Sequence, residues 1–321
     1  MSAPTGDPRA VGPIPGVVRL DGGTATELQK RGIRVRTPWW TTAALRTKRG
    51  RSVLRAVYTD YVTAGAQIIT ANTFRCNLRA LRRAGLDGPA PARMVHAAVR
   101  VAREAVAASR PDRPIWVSGS MAPVEDCYRP DLVPGSEDLR AEHAWLAREL
   151  VAAQVDVVLV ETMNCMREAR IALDAVLTAG GRALVSFVAA DGARLLSGEP
   201  IAAAARTVER DGAHAVLVNC TSIPRTEACL RAMRASVEGP IGAYPNIEDR
   251  TGVPSMFHVD ATLPAVVGPA DFASTAARWC ADFGLMLIGG CCGTTPRHVA
   301  VMCEKQYDTV GPACRVGREP R

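Results

Sequence analysis

Eight short runs of apolar and β-branched residues recur along the chain. Each is followed by a longer, Ala/Arg/Leu-rich stretch with helical spacing, and this alternation is what most constrains the fold. The runs are GVVRLDGG (16–23), AQIITANTF (66–74), PIWVSGS (114–120), VDVVLVET (155–162), ALVSFVAA (183–190), HAVLVNC (214–220), IGAYPN (241–246) and LMLIGG (285–290). The helical spacing falls at 52–64, 90–108, 139–154, 166–179, 201–211, 225–235, 269–282 and 297–305. Strand–helix repeats of this kind build a parallel sheet with right-handed crossovers, and eight of them close into a (β/α)8 TIM barrel. The length of 321 residues suits one such barrel, and no composition shift marks a linker. The expected organisation is a disordered leader over 1–14, a single α/β barrel domain over 15–308 and a tail over 309–321. With 48% apolar but only 5% aromatic residues, the core must be built mainly from Ala, Val, Leu and Ile.

Several function classes are disfavoured at this level. The net charge of +7 comes from arginines spread along amphipathic segments such as LRALRRAG, with no basic run interleaved with aromatics, so no nucleic-acid partner is expected. No apolar run spans a bilayer, so no membrane partner is expected. The N-terminal residues lack a charged start followed by an apolar stretch, and the expected location is cytoplasmic. The ten cysteines should then be free thiols, and a cluster among them points to a metal or catalytic site. No G-x-G-x-x-G follows a strand, which leaves a Rossmann nucleotide site unsupported.

In a barrel of this type the C-terminal strand ends carry function. Here they read Asp21-Gly22-Gly23, Asn72-Thr73-Phe74, Ser118-Gly119-Ser120, Glu161-Thr162, Asn219-Cys220, Tyr244-Pro245-Asn246 and Gly289 to Gly293; only the fifth end, near Val188, is uninformative. Cys291 and Cys292 are adjacent within GLMLIGGCCGTTPRH (284–298). On a regular strand they would face opposite ways, but the glycines on either side permit a turn that aims both sulfurs at one point. Cys220 ends the sixth strand on the same rim. Three thiolates with an open fourth position suit a catalytic Zn²⁺. Buried filler remains an alternative, as does a redox pair, although a disulfide between neighbours is strained.

The motifs VNC and GGCCGT together resemble the homocysteine S-methyltransferase family, whose members include S-methylmethionine-dependent and betaine-dependent enzymes and the homocysteine domain of cobalamin-dependent methionine synthase. The resemblance extends from LDGGTATELQKRG through ITANTFRCN and VSGSMAP to IGGCCGTTPRHV, nearly the whole chain. It implies a (β/α)8 barrel with Zn²⁺ held by Cys220, Cys291 and Cys292, and methyl transfer to a thiol. A metal-held thiol loses its proton, and the excess negative charge of four sulfurs keeps the substrate sulfur nucleophilic. An onium donor is then attracted, and charge is annihilated as the methyl moves. Asp21 and Glu161 are candidates to accept from the acceptor's ammonium, and the amides around Gly22 and Gly23 to meet its carboxylate; the resemblance supports these roles. Trp39, Trp40, Phe74 and Tyr244 are candidate aromatic faces for the onium methyl. Asn72, Thr73, Asn219 and Asn246 are candidate substrate-contacting or loop-pinning residues.

Two stretches depart from the S-methylmethionine-dependent pattern. YPNIEDRTG stands where those members have YPNSGE, and TANTF stands for their TASYQ. The expected donor order is S-methylmethionine, S-adenosylmethionine, betaine, with Glu248 and Asp249 adding carboxylates near a cationic donor. Alternatives are another acceptor (selenohomocysteine, selenocysteine or a specialised-metabolite thiol) or a corrinoid protein as donor. Other readings are a barrel that binds phosphate at its seventh and eighth loops, and a non-enzymatic zinc- or redox-responsive binding protein. The oligomeric state is not legible.

Overall fold

The computed structural model of the chain describes residues 16–248 and 263–304. The leader expected over 1–14, the tail over 309–321, Asp249 and Cys314 lie outside the described residues. Each of the eight expected runs contains a strand: β1 (Val18–Arg19), β2 (Ile68–Ala71), β3 (Trp116–Met121), β4 (Val157–Met163), β5 (Ala183–Phe187), β6 (Ala215–Ser222), β7 (Ile241–Asn246) and β8 (Leu287–Ile288). All pairings in this eight-stranded sheet are parallel. The sheet runs from β2 through β3 to β8 and back to β1. A parallel bridge between Leu20 and Ile68 joins the two ends, with Asp21 N–H donating to Ile68 O at 3.0 Å and Gln67 N–H to Arg19 O at 2.7 Å. The sheet therefore closes, as expected, into a (β/α)8 TIM barrel.

Each of the eight stretches with helical spacing overlaps a helix: α2 (Lys48–Thr63), α4 (Ala90–Ser109), α5 (Ser136–Ala152), α6 (Met166–Thr178), α7 (Ile201–Arg210), α8 (Ile223–Arg234), α9 (Pro269–Phe283) and α10 (Pro296–Glu304). Two short helices were not expected, α1 (Thr24–Lys30) directly after β1 and α3 (Leu78–Arg83) after β2. The fifth run breaks at Val188. Ala189–Ala190 leaves the barrel and pairs antiparallel with Arg194–Leu195.

Strand period divides the core in two. Outward residues such as Ile69, Val117, Val158, Val160, Val185, Val216, Val218 and Ala243 pack under the helices. Inward residues Val18, Leu20, Ile68, Leu159, Leu184, Leu217 and Leu287 fill the barrel floor. Further along the same inward rows the side chains turn polar, at Thr70, Ser118, Ser120, Glu161, Ser186 and Asn219. A filled floor under a polar upper layer sets the chemistry at the C-terminal mouth.

Candidate active site

Cys220 reaches the mouth because β6 slips register there. Asn219 pairs with Tyr244 but Ser222 pairs with Asn246, which leaves one extra residue in β6. Cys220 absorbs it with φ of +49°. An equivalent slip lies on β4 between Val160 and Met163, where Thr162 has φ of +59°. Left-handed backbone at a non-glycine residue costs on the order of 1–3 kcal/mol and persists only where the surroundings determine it. Here the two bulges hold each other. Thr162 N–H donates to Asn219 Oδ1 at 3.0 Å, Asn219 Nδ2 donates to Thr162 Oγ1 at 2.8 Å, and Thr162 Oγ1 donates to the Cys220 sulfur at 3.8 Å.

The adjacent cysteines sit beyond the end of β8, in a turn closed by Thr294 N–H on Cys291 O at 3.1 Å, with Gly293 at φ +87°. Cys291 N–H donates to Pro245 O at 2.9 Å, and Cys292 N–H to Asn246 Oδ1 at 3.1 Å. Gly290 admits this turn, since a Cβ there would lie 2.3 Å from Thr294 Oγ1. On the adjoining wall, after β1, a Cβ on Gly22 would lie 2.8 Å from both Thr294 Oγ1 and Tyr61 Oη.

The three sulfurs converge. Cys220 Sγ lies 2.8 Å from Cys291 Sγ, Cys291 Sγ lies 4.0 Å from Cys292 Sγ, and all three fall within 4.8 Å of one another. A disulfide needs about 2.05 Å, so none is formed. Tetrahedral bonds of about 2.3 Å to zinc place sulfurs roughly 3.8 Å apart, inside the observed spread. Bonds to Cys220 and Cys292, together with burial, hold the Cys291 thiol well above its usual range. For Cys220, the bond with Cys291 favours the thiolate, but Cys292, burial and nearby negative charge outweigh it and raise the thiol as well. Three thiolates cannot share this volume without a cation, and the donor set fits a soft or borderline divalent metal.

Two carboxylates face the same cleft. Burial pushes Asp21 up to about 7, against hydrogen bonds from Thr70 N–H at 2.7 Å and Thr70 Oγ1 at 3.0 Å. Burial likewise pushes Glu161 up to about 7. Hydrogen bonds from Ser120 and Tyr244 pull it down, while Asp21 and Cys292 push it further up. Ser120 Oγ donates to Glu161 Oε1 and Tyr244 Oη donates to Oε2, the latter at 3.2 Å. Among the described residues lining the cleft there is no lysine, arginine or histidine. Among these residues the two carboxylates have no cationic partner.

Of the residues singled out in the sequence, Cys220, Cys291, Cys292, Asp21, Gly22, Gly23, Asn72, Phe74, Glu161, Tyr244 and Trp40 line this cleft. Gly23 N–H is turned to Thr294, donating to Oγ1 at 3.0 Å and O at 3.3 Å. Asn72 Nδ2 donates to Thr41 O at 2.8 Å and so ties the loop that carries Trp40. Thr73, Asn219 and Asn246 stand behind the wall. Thr73 Oγ1 bonds Ser120 O at 2.8 Å, and the Asn219 amide is spent on Thr162 and Ser186. Trp40 and Phe74 meet edge to face at 5.4 Å, whereas the Trp39 ring lies under the Arg46 guanidinium at 4.2 Å. Glu248 accepts from Thr26 Oγ1 at 3.2 Å and is not part of the lining. Cys76, Cys127 and Cys165 are buried and are not part of the lining. Burial raises the Cys76 thiol to about 12.

Thr70, which holds Asp21, was not singled out in the sequence, and Ser120, which holds Glu161, was read there only as a strand-end residue without a role. The signal was available in strand parity, because Ser120 faces inward on the same rule that brings Leu159 and Glu161 inward.

Residues 18–306 match the family model described as homocysteine S-methyltransferase. The chain is 29% identical over 341 residues to homocysteine S-methyltransferase 4 of Zea mays, covering 96% of this chain and 97% of that protein. It is 28% identical over 312 residues to selenocysteine Se-methyltransferase of Brassica oleracea var. italica, covering 88% and 87%. Its structure is similar to the metallated crystal form of the homocysteine methyltransferase of Escherichia coli, with a TM-score of 0.76, 26% identity, and coverage of 90% of this chain and 96% of that one.

Proposed function

The chain belongs to the homocysteine S-methyltransferase family, and from that premise we propose that it moves a methyl group from a sulfonium donor to the thiol of homocysteine, giving methionine. The observation that carries this reading is the meeting, in one cleft, of three converging cysteine sulfurs with two buried carboxylates that have no cationic partner among the described lining residues. Cys220, Cys291 and Cys292 would hold Zn²⁺, which supplies a positive centre that favours the acceptor's thiolate over its thiol at neutral pH. The acceptor sulfur attacks the methyl carbon in line. A carbon–sulfur bond to the acceptor forms as the donor's breaks, the bonding pair stays on the donor sulfur, and the acceptor's proton has gone to solvent. A cation and an anion become two neutral sulfides, a loss of charge that a cleft shielded from water favours.

Asp21 and Glu161 hold the acceptor's ammonium, and a charge-assisted pair of this kind contributes roughly 1.5–3 kcal/mol. The acceptor carboxylate lies toward Gly22, Thr24 and Ala25, which line the cleft where α1 begins and amides lack intrahelical partners. The Trp40 and Phe74 rings line the donor side and offer π faces to an onium methyl. Tyr244 is engaged with Glu161 and serves to orient that carboxylate. We take residues 15–308 as the unit that binds both substrates, working in the reducing cytoplasm where these thiols stay free. No helix among the described residues is long and apolar enough to cross a membrane.

A donor-by-acceptor matrix tests the assignment. Homocysteine and selenocysteine are each offered with S-methylmethionine, S-adenosylmethionine and betaine, and products are read by mass. The expected order is S-methylmethionine, then S-adenosylmethionine, then betaine. The similarity to the Brassica enzyme makes the selenol arm worth including. Product mainly from betaine overturns the donor order, and no product from any pair overturns the substrate assignment.

A further inference from the structure

We propose that Tyr128 is a positioning residue that locks the two arms of the three-cysteine centre to each other. The inference rests on the metal reading given above. Cys220 arrives on β6 and Cys292 on the loop after β8, so their sulfurs share one centre only if these segments stay in register. Backbone pairing through β7 lies between them, with Cys291 N–H on Pro245 O at 2.9 Å and Ile247 N–H on Cys292 O at 3.0 Å, and one side-chain hydroxyl adds a link at the cysteines themselves. Tyr128 Oη donates to the Cys220 backbone carbonyl at 3.2 Å, at the bulge where β6 slips. The same oxygen accepts from Asn246 Nδ2 at 3.4 Å, and Asn246 Oδ1 accepts the Cys292 N–H at 3.1 Å. The path runs from one sulfur-bearing residue to the other through a single tyrosine and a single amide.

The segment carrying Tyr128 is built to hold its aim. It follows β3 and is largely buried, and its backbone is satisfied by buried polar side chains. Arg75 Nη1 donates to Glu125 O at 2.5 Å and to Pro123 O at 3.4 Å, and Asn77 Nδ2 donates to Val124 O at 3.1 Å. Val124 N–H donates to Glu168 Oε1 at 2.8 Å, and that oxygen also meets His143 Nε2 at 3.0 Å. Tyr128 N–H is held by Asp126 Oδ1 at 2.9 Å. Burying an arginine, a glutamate and a histidine is costly. A loop that needed only to cross from β3 to α5 could remain at the surface without them. The outcome of this arrangement is a fixed tyrosine at the back of the metal centre. Groups in such positions orient ligands, and their loss commonly weakens metal binding about 10–100-fold.

The test is the rate at which zinc-loaded wild type and Tyr128→Phe lose metal to a chromogenic chelator, together with the thermal midpoint of each metal-free protein. Zinc loss from the variant is expected to be about 10–100-fold faster, with the metal-free midpoint unchanged, because phenylalanine keeps the ring packing. Asn246→Ala interrupts the same path, so the double variant should lose zinc no faster than the worse single one. Release from Tyr128→Phe at the wild-type rate overturns the inference, as does full additivity of the two changes. A fall in the metal-free midpoint that accounts for the faster release also overturns it, by making Tyr128 an ordinary fold contact. A wild-type protein that takes up no zinc overturns instead the metal reading beneath it.

Discussion

Alanine in place of Cys220, Cys291 or Cys292 is expected to strip most of the metal from the protein and to lower turnover on the order of 10³-fold. The magnitude follows from several kcal/mol of charge stabilisation at about 1.4 kcal/mol per decade. Each sulfur is one of three ligands, and two thiols do not complete a tetrahedral site. The barrel should survive each change. Its floor is filled by Leu20, Leu159, Leu184, Leu217 and Leu287, and its closure depends on backbone pairing between β1 and β2. The sulfurs sit above that floor, at the mouth. Circular dichroism of the variants should therefore match wild type while metal content and turnover collapse together. Variants that retain both would move the active site elsewhere.

Glu161→Gln is expected to raise the Michaelis constant for homocysteine about 10–100-fold and to leave that for the donor nearly unchanged, since it removes one partner of a buried charge-assisted pair. The pH dependence gives a second reading. Burial raises Glu161 to about 7 from a reference value of 4.5, so the ionised form that binds an ammonium becomes dominant only as pH rises through about 7. The wild-type constant for homocysteine should fall over that interval, and the glutamine variant should lose that part of the slope. The linkage sign is opposite for stability. A raised acid contributes stability that is fully present below its unfolded pKa and is lost as pH rises through about 7. Ligand-free Glu161→Gln should therefore be at least as stable as wild type at pH 8, by thermal midpoint. A variant that is less stable at pH 8 with an unchanged homocysteine constant would make Glu161 a structural residue.

Period made the barrel legible. The β-branched runs, each followed by helical spacing, located all eight strands, because a parallel sheet buried on both faces needs such runs. The rim also followed from the strand-end residues Asp21, Glu161, Cys220 and Cys291-Cys292. Backbone irregularity was not legible. Thr162 and Cys220 adopt positive φ at register slips, and neither residue type announces such a conformation. Long-range partners were also hidden. Tyr128 lies 92 positions from the carbonyl it binds, and no local pattern encodes that distance. Trp39 and Trp40 read alike in sequence, yet one ring pairs with Arg46 and the other lines the cleft, a choice made by the packing of the loop. The run at 183–190 reads as continuous strand but bends at Val188 into a small antiparallel pair.

On this reading Cys220, Cys291 and Cys292 hold a metal whose open position takes the substrate thiol. Zinc K-edge X-ray absorption of the purified protein, with and without homocysteine, tests this most directly. Three sulfur neighbours at about 2.3 Å are expected in the free enzyme and four once homocysteine is added. A sulfur count that does not change on adding homocysteine would contradict it.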